Sequence, residues 1–352
     1  MRTIRKRTWA VQTTKGSEVT FEAMARNFID DQYSKGNAPS TIKHYEQSLR
    51  KICTFLAYYT LGEQAYLDLT REEAQTMGGQ TLCSVLDEQG LDKAYRTFLY
   101  NLENVNDQTI NTYFRDYRVI VYYAIDHNLA ESRQISIKNL ESGIKDVYTI
   151  QELEKLLKRP GKKCSFSEYR NWVVVNYLLA TGNRVSTVVN LKISDLDFDD
   201  NMIAINVQKN KKRARIPMEK AHLAKILRTY IDEWLIGSDG TYLSEYLFPS
   251  SYAENSRPMS RVSMGRAIAN YNRSRGVQKT SIHLFRHTFV KNWIIGGGDL
   301  HSLQRILGHS TLDMVVHYAN LYDTDLREKV DEYSALSHVS CLVPSHAHRK
   351  RI

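Results

Sequence analysis

Four short stretches in the second half of the chain carry residue types that can hold an anion and move a proton. In ATGNRVSTVVN (180–190) a helix is predicted to end at Gly182, and Arg184 opens the next one, where a guanidinium beside exposed N–H groups would face an anion. VQKNKKRARIP (207–217) reads as a hairpin whose turn holds Lys209, Lys211 and Lys212, followed by Arg213 and Arg215. In SIHLFRHTFV (281–290) Ser281 is predicted to cap a helix. His283 and Arg286 lie three apart on one face of it, a proton-transfer group beside a fixed cation. In LGHSTLDMVVHYANLY (307–322) Gly308 ends a helix, His309 lies in the turn, Ser310 with Asp313 caps the next helix, and that helix carries Tyr318. Taken singly, each stretch reads better as something plainer: a surface arginine, a solvated lysine turn, an exposed polar pair, a core aromatic.

Taken together they form an ordered set: Arg184, then Lys209 25 positions on, His283 and Arg286, His309 23 positions after Arg286, and Tyr318 nine further on. With the words TGNRVS, HLFRHTF, LGHS and HYANL, the chain resembles the tyrosine recombinase (phage integrase) family, including Xer recombinases and the integrases of phages and conjugative transposons. The resemblance is strong over about 148–325 and looser over 19–140.

What the resemblance implies is specific. Tyr318 would attack a DNA phosphate and form a 3′-phosphotyrosine. Arg184 and Arg286 would hold the nonbridging oxygens, His283 would accept or orient the tyrosyl proton, His309 would bond the phosphate, and Lys209 would protonate the leaving 5′-oxygen. Lys211 and Lys212 stay open for the acid role, and Tyr322 and Tyr333 for the nucleophile. The expected activity is site-specific recombination through a Holliday junction, for integration or excision of a mobile element or phage. Type IB topoisomerase-like or telomere-resolving activity, or a catalytically silent DNA-binding regulator, are the alternatives. The expected partners are double-stranded DNA with inverted half-sites, a homotetramer joined by exchange of C-terminal segments, and accessory DNA-bending or directionality proteins. Three positions depart from the family's commonest pattern: Asn183 where an apolar residue is usual, Thr187 where Glu is frequent, and Phe285 in place of Leu. No cofactor and no metal are expected. The chain has no GxxxxGK[ST] word, and the tail residues His338, Cys341, His346 and His348 match no strong zinc spacing.

The elements that must position these residues follow from patterning. The predicted class is mainly α with a small β-hairpin or sheet, in two domains: a helical core-binding domain and a mixed α/β catalytic domain. The boundaries are a basic N-terminal arm 1–18, the helical domain 19–140, a linker 141–147, the catalytic domain 148–336 and a tail 337–352. In the helical domain a Thr precedes apolar positions 21, 24, 28 and 29, and Pro39 opens a helix with apolar 42, 45, 49, 52, 55 and 56. MGGQ (77–80) reads as an interruption, 84–101 as a third helix, and a fourth starts near Asp107. The many tyrosines here read mostly as core and rim. A polar stretch from 133 to 147 leads to Thr149 and Glu152, a capping box. Residues 201–208 and 213–218 are short β-like runs joined by KNKK.

Composition agrees with a nucleic-acid partner. The 352 residues hold 48 Lys and Arg against 39 Asp and Glu, a formal charge of +9. Arg2, Arg5, Lys6 and Arg7 make the arm a candidate DNA contact, beside Lys211, Lys212, Arg213 and Arg215. Cysteines 53, 83, 164 and 341 form no CxxC pair and read as free thiols. With no apolar run of membrane-spanning length and no export signal, the expected location is cytoplasmic and nucleoid-associated.

Overall fold

The computed structural model describes residues 18–101, 103, 105–138, 146–207 and 212–308. The side chains of 206, 207, 212 and 213 are not described. The described residues fall into two compact units, one before Ser142 and one after Gly143.

The first unit is helical: α1 (Phe21–Ser34), α2 (Pro39–Leu61), α3 (Glu63–Leu67), α4 (Arg71–Gln80), α5 (Leu91–Asn101) and α6 (Asp107–Asp126). Its starts follow from capping chemistry. The Thr20 hydroxyl accepts from the Ala23 N–H, Pro39 occupies the first turn of α2, and Thr70 and Glu73 cap each other's backbone at α4. Phe21, Met24 and Phe28 meet Ile52, Phe55, Tyr95, Phe114 and Tyr117 in one core. Most tyrosines are core or rim, as expected. Tyr95 and Tyr117 are fully buried, and Tyr45, Tyr58, Tyr59 and Tyr66 pack against the core.

Two sequence expectations change. MGGQ closes α4 rather than interrupting a helix. A Cβ at Gly78 would lie 1.8 Å from the Cys53 carbonyl oxygen, so glycine there lets α4 pack against the backbone of α2. The predicted helix 84–101 is two pieces, a 3₁₀ turn at Cys83–Asp87 and α5, parted at Gly90 with φ +89°. The polar stretch also divides. Arg133 donates to the Leu86 carbonyl and pairs with Asp92 at 3.0 Å, and Ile135 is buried, so its described start belongs to the first unit.

The second unit holds α7 (Ile150–Leu157), α8 (Phe166–Thr181), α9 (Val185–Val188), α10 (Leu223–Tyr230), α11 (Arg261–Ser274), α12 (His283–Ile295) and α13 (Leu300–Leu307). The capping box of Thr149 and Glu152 is present. Helix α8 is apolar almost all round and runs through the core. The hairpin is there too, as strands β2 (Met202–Val207) and β3 (Lys212–Pro217), with Ile203 opposite Ile216 and Ile205 opposite Ala214. A short strand β1 (Leu196–Asp197) adds to the β2 edge, making three antiparallel strands. Ile203, Ile205 and Ile216 point into the core at the period of two that strands impose. The mainly α fold with a small sheet is therefore as expected. Cys53, Cys83 and Cys164 are free thiols. Among the described residues no helix is long and apolar enough to cross a membrane.

Candidate active site

The site is built where α8 and α13 end and α9 and α12 begin. Helix α8 stops at Gly182, which takes the left-handed conformation, φ +62°, predicted for it. A side chain there would be strained and would also strike Phe289 of α12, because a Cβ would lie 2.4 Å from its ring. The chain then turns through Asn183, which is buried. The Asn183 amide donates to the Tyr177 hydroxyl at 2.9 Å, and its backbone N–H donates to the Thr181 hydroxyl at 3.3 Å. Arg184 follows as the residue capping the four-residue helix α9, with an exposed side chain.

Arg286 comes from α12, one turn after its first residue. It is 7% exposed, against the plainer reading of a surface pair. Its guanidinium donates to the Gly182 carbonyl at 2.8 Å and to the Leu307 carbonyl at 3.2 Å. Arg184 donates to that same Leu307 oxygen at 3.3 Å. Two guanidiniums thus converge on one acceptor. The acceptors described for them are the carbonyl ends of α8 and α13, which carry the partial negative charge of helix C-termini. These carbonyls are neutral, and two guanidiniums meeting at one acceptor form a donor pair of the kind that can hold a phosphate.

His283 is the first residue of α12 and is exposed. The residue before it, Ile282, makes no side-chain cap, so Ser281 is not the predicted cap. Its carbonyl instead accepts from the Leu284 N–H and the Tyr148 hydroxyl. Gly308 ends α13 in the left-handed conformation, as predicted. Helix α13 is held by a small cluster in which Val290, Ile294, Leu303 and Leu307 pack with Val147.

Three of the six predicted catalytic residues, Arg184, His283 and Arg286, are therefore described, and the two arginines are brought together. Lys209, His309 and Tyr318 lie outside the described residues, as do Lys211, Tyr322, Tyr333 and the arm residues Arg2, Arg5, Lys6 and Arg7. Lys212 and Arg213 are placed as backbone in β3. Arg215 is exposed and paired with Asp197 at 2.6 Å and Asp200 at 3.2 Å, which ties β3 to β1 and its turn. The Gly182 and Leu307 carbonyls were missed from sequence. A backbone acceptor leaves no side-chain signal, and only its place before a glycine marked Leu307. A cavity of about 500 Å³ lined by Ile193, Phe198, Arg228, Tyr242 and Glu245 includes none of the predicted residues.

A model of the phage integrase family matches residues 147–325. Tyrosine recombinase XerD of Staphylococcus haemolyticus is 24% identical over 303 residues, covering 86% of this chain and 95% of its own. Among solved structures, the Tn1549 transposon integrase in complex with transposon right end DNA matches with a TM-score of 0.65 at 19% identity, over 89% of this chain and 98% of its own. A lambda integrase tetramer bound to a Holliday junction matches with a TM-score of 0.59 at 13% identity, over 88% and 83%. These two likenesses are of fold.

Proposed function

The chain belongs to the phage integrase family, the tyrosine recombinases, and from that premise we propose that it is a site-specific DNA recombinase that cuts and rejoins strands through a 3′-phosphotyrosine. The observation that carries the reading is the convergence of Arg184 and Arg286 on the Leu307 carbonyl, a two-cation cradle at the ends of α8 and α13. In this reading the Tyr318 oxygen attacks the scissile phosphorus while the bond to the 5′-oxygen breaks. The tyrosyl proton passes to His283, and Lys209 supplies a proton to the departing 5′-oxygen. Arg184, Arg286 and His309 hold the charge that builds on the nonbridging oxygens. The phosphodiester energy is kept in the phosphotyrosine, so a 5′-hydroxyl from a partner duplex reverses the step without ATP.

Residues 19–140 would form the core-binding domain and 148–336 the catalytic domain, with the linker 141–147 between them and the arm 1–18 and the hairpin cations on the DNA backbone. Four protomers would assemble on two sites with inverted half-sites, exchanging C-terminal segments and helped by accessory DNA-bending or directionality proteins. The lambda integrase tetramer on a Holliday junction supports such an assembly. The setting would be cytoplasmic and nucleoid-associated.

The test uses the full chain and a nicked suicide duplex carrying the end sequence of its element, without magnesium or ATP. A denaturation-resistant adduct that is lost in Tyr318→Phe supports the reading. No adduct despite tight DNA binding would favour the silent regulator. Relaxation of plasmid by single subunits, without strand exchange, would favour a type IB topoisomerase-like enzyme. An adduct that survives Tyr318→Phe would move the nucleophile to Tyr322.

A further inference from the structure

The turn that presents Arg184 contains a polar residue where the family pattern is usually apolar, and that residue is buried and hydrogen-bonded. Asn183 is 4% exposed and donates to the hydroxyl of Tyr177, which is itself 0% exposed. Tyr177 sits on α8 six residues before Asn183, so the bond folds the chain after the helix back onto the helix. Thr181, also buried, adds a second tie, accepting from the Asn183 N–H. On the other side, Gly182 is pressed against Phe289, and its carbonyl is bonded to Arg286. The backbone leading into Arg184 is therefore fixed from both sides. The Asn183 side chain belongs to one of those sides.

We propose that the Asn183–Tyr177 pair is a positioning device for the reaction: it sets the path of the turn and so the aim of the Arg184 guanidinium at the phosphate. The bonds described for Asn183 go to Tyr177 and Thr181 and not to the Leu307 carbonyl, so it acts through Arg184. A displacement of about 1 Å in such a group is enough to slow a reaction by about two orders of magnitude. Burial keeps the Tyr177 phenol well above its ordinary pKa, so it stays neutral and able to accept across the working pH range. Removing one partner leaves the other buried without its bond, which the turn can relieve only by shifting. Removing both leaves two apolar groups that pack without that demand.

The inference rests on the recombinase reading, and its test separates the two. The rate constant and amplitude of covalent adduct formation are measured on the suicide duplex for the full chain, Asn183→Leu, Tyr177→Phe and the double variant, with duplex affinity measured by anisotropy. Each single variant is expected to slow the rate constant about tenfold, the effect of about one unsatisfied buried hydrogen bond. Duplex affinity should stay within about threefold, because most phosphate contacts are untouched. The double variant should recover much of the rate. A purely structural role would instead lower the amplitude, which counts folded enzyme, and leave the rate constant alone. Unchanged rate constants in both single variants, or losses that simply multiply in the double variant, would overturn the pair's role. Absence of any adduct from the unaltered chain would overturn the recombinase reading and this inference with it.

Discussion

Replacing Gly182 by alanine tests the packing of the arginine cradle most directly. The substitution has two separable costs. A non-glycine residue at φ +62° is strained by about 1–2 kcal/mol. The new Cβ would also lie 2.4 Å from Phe289 Cδ1 and 3.0 Å from Cε1 and Cγ, too close for any real contact, so the ring or the turn must move. Forced repacking of this kind costs about 1–3 kcal/mol, giving a loss of about 2–5 kcal/mol for Gly182→Ala. Gly276 offers the control. Its φ is +70°, and no described atom lies within 4 Å of its added Cβ, so Gly276→Ala should lose only the strain of about 1–2 kcal/mol. Urea unfolding followed by tryptophan fluorescence suits the comparison, because Trp172, Trp234 and Trp293 all lie in the second unit. Adding Phe289→Leu to Gly182→Ala should restore part of the excess loss, since the bulk of the clash is the ring. If Gly182→Ala is no more destabilising than Gly276→Ala, or if Phe289→Leu restores nothing, the proposed close approach of the turn to α12 is wrong.

Other outcomes follow from the same structure. Arg286→Lys exchanges a fork that reaches the Gly182 and Leu307 carbonyls for a single ammonium. Adduct formation should slow by about 10²–10³-fold, read from single-turnover kinetics. Arg170 is 3% exposed and donates to the carbonyls of Pro249 and Ser250, so Arg170→Met should cost about 1–3 kcal/mol by orphaning them, read from urea unfolding. In the first unit, burial raises the Asp116 pKa, outweighing the bonds from Ser48 and His44 that favour its ionised form. The folded chain therefore binds this proton more tightly than the unfolded chain. Stability from this group is present at low pH and is lost as pH rises from the ordinary carboxylate range through the raised value. Asp116→Asn should flatten that slope in unfolding curves taken between pH 4 and 7.

Residues whose role depends on local chemistry were legible. Gly182 and Gly308 end helices, Thr149 and Glu152 form a capping box, and the alternation of Ile203, Ile205 and Ile216 marks the hairpin. Residues whose role depends on a distant neighbour were not. Gly78 looks like a helix breaker until the α2 backbone is placed against it. The burial of Arg286 depends on carbonyls 104 positions before it and 21 after it. Ser281 has the chemistry of a cap, yet α12 begins without one, and the Ser281 carbonyl is taken by Tyr148. Asn183 looked like a tolerated change in a familiar word, and only the position of Tyr177 gives its amide a partner.

The seating of Tyr148 also fixes when the second unit can form. Its ring centroid lies 4.5 Å from that of Phe285 with the rings tilted, and its backbone N–H donates to the Thr288 hydroxyl across 140 residues of sequence. A contact of that span cannot form until α12 has been synthesised, whereas the first unit is already complete in the emerging chain. The arginine cradle draws on residues 182–184, 286 and 307, so it cannot form before α13 has been made. A chain interrupted between the end of the first unit and α13 would carry a finished helical unit and no cradle. The order of synthesis thus keeps partial products from presenting the paired arginines.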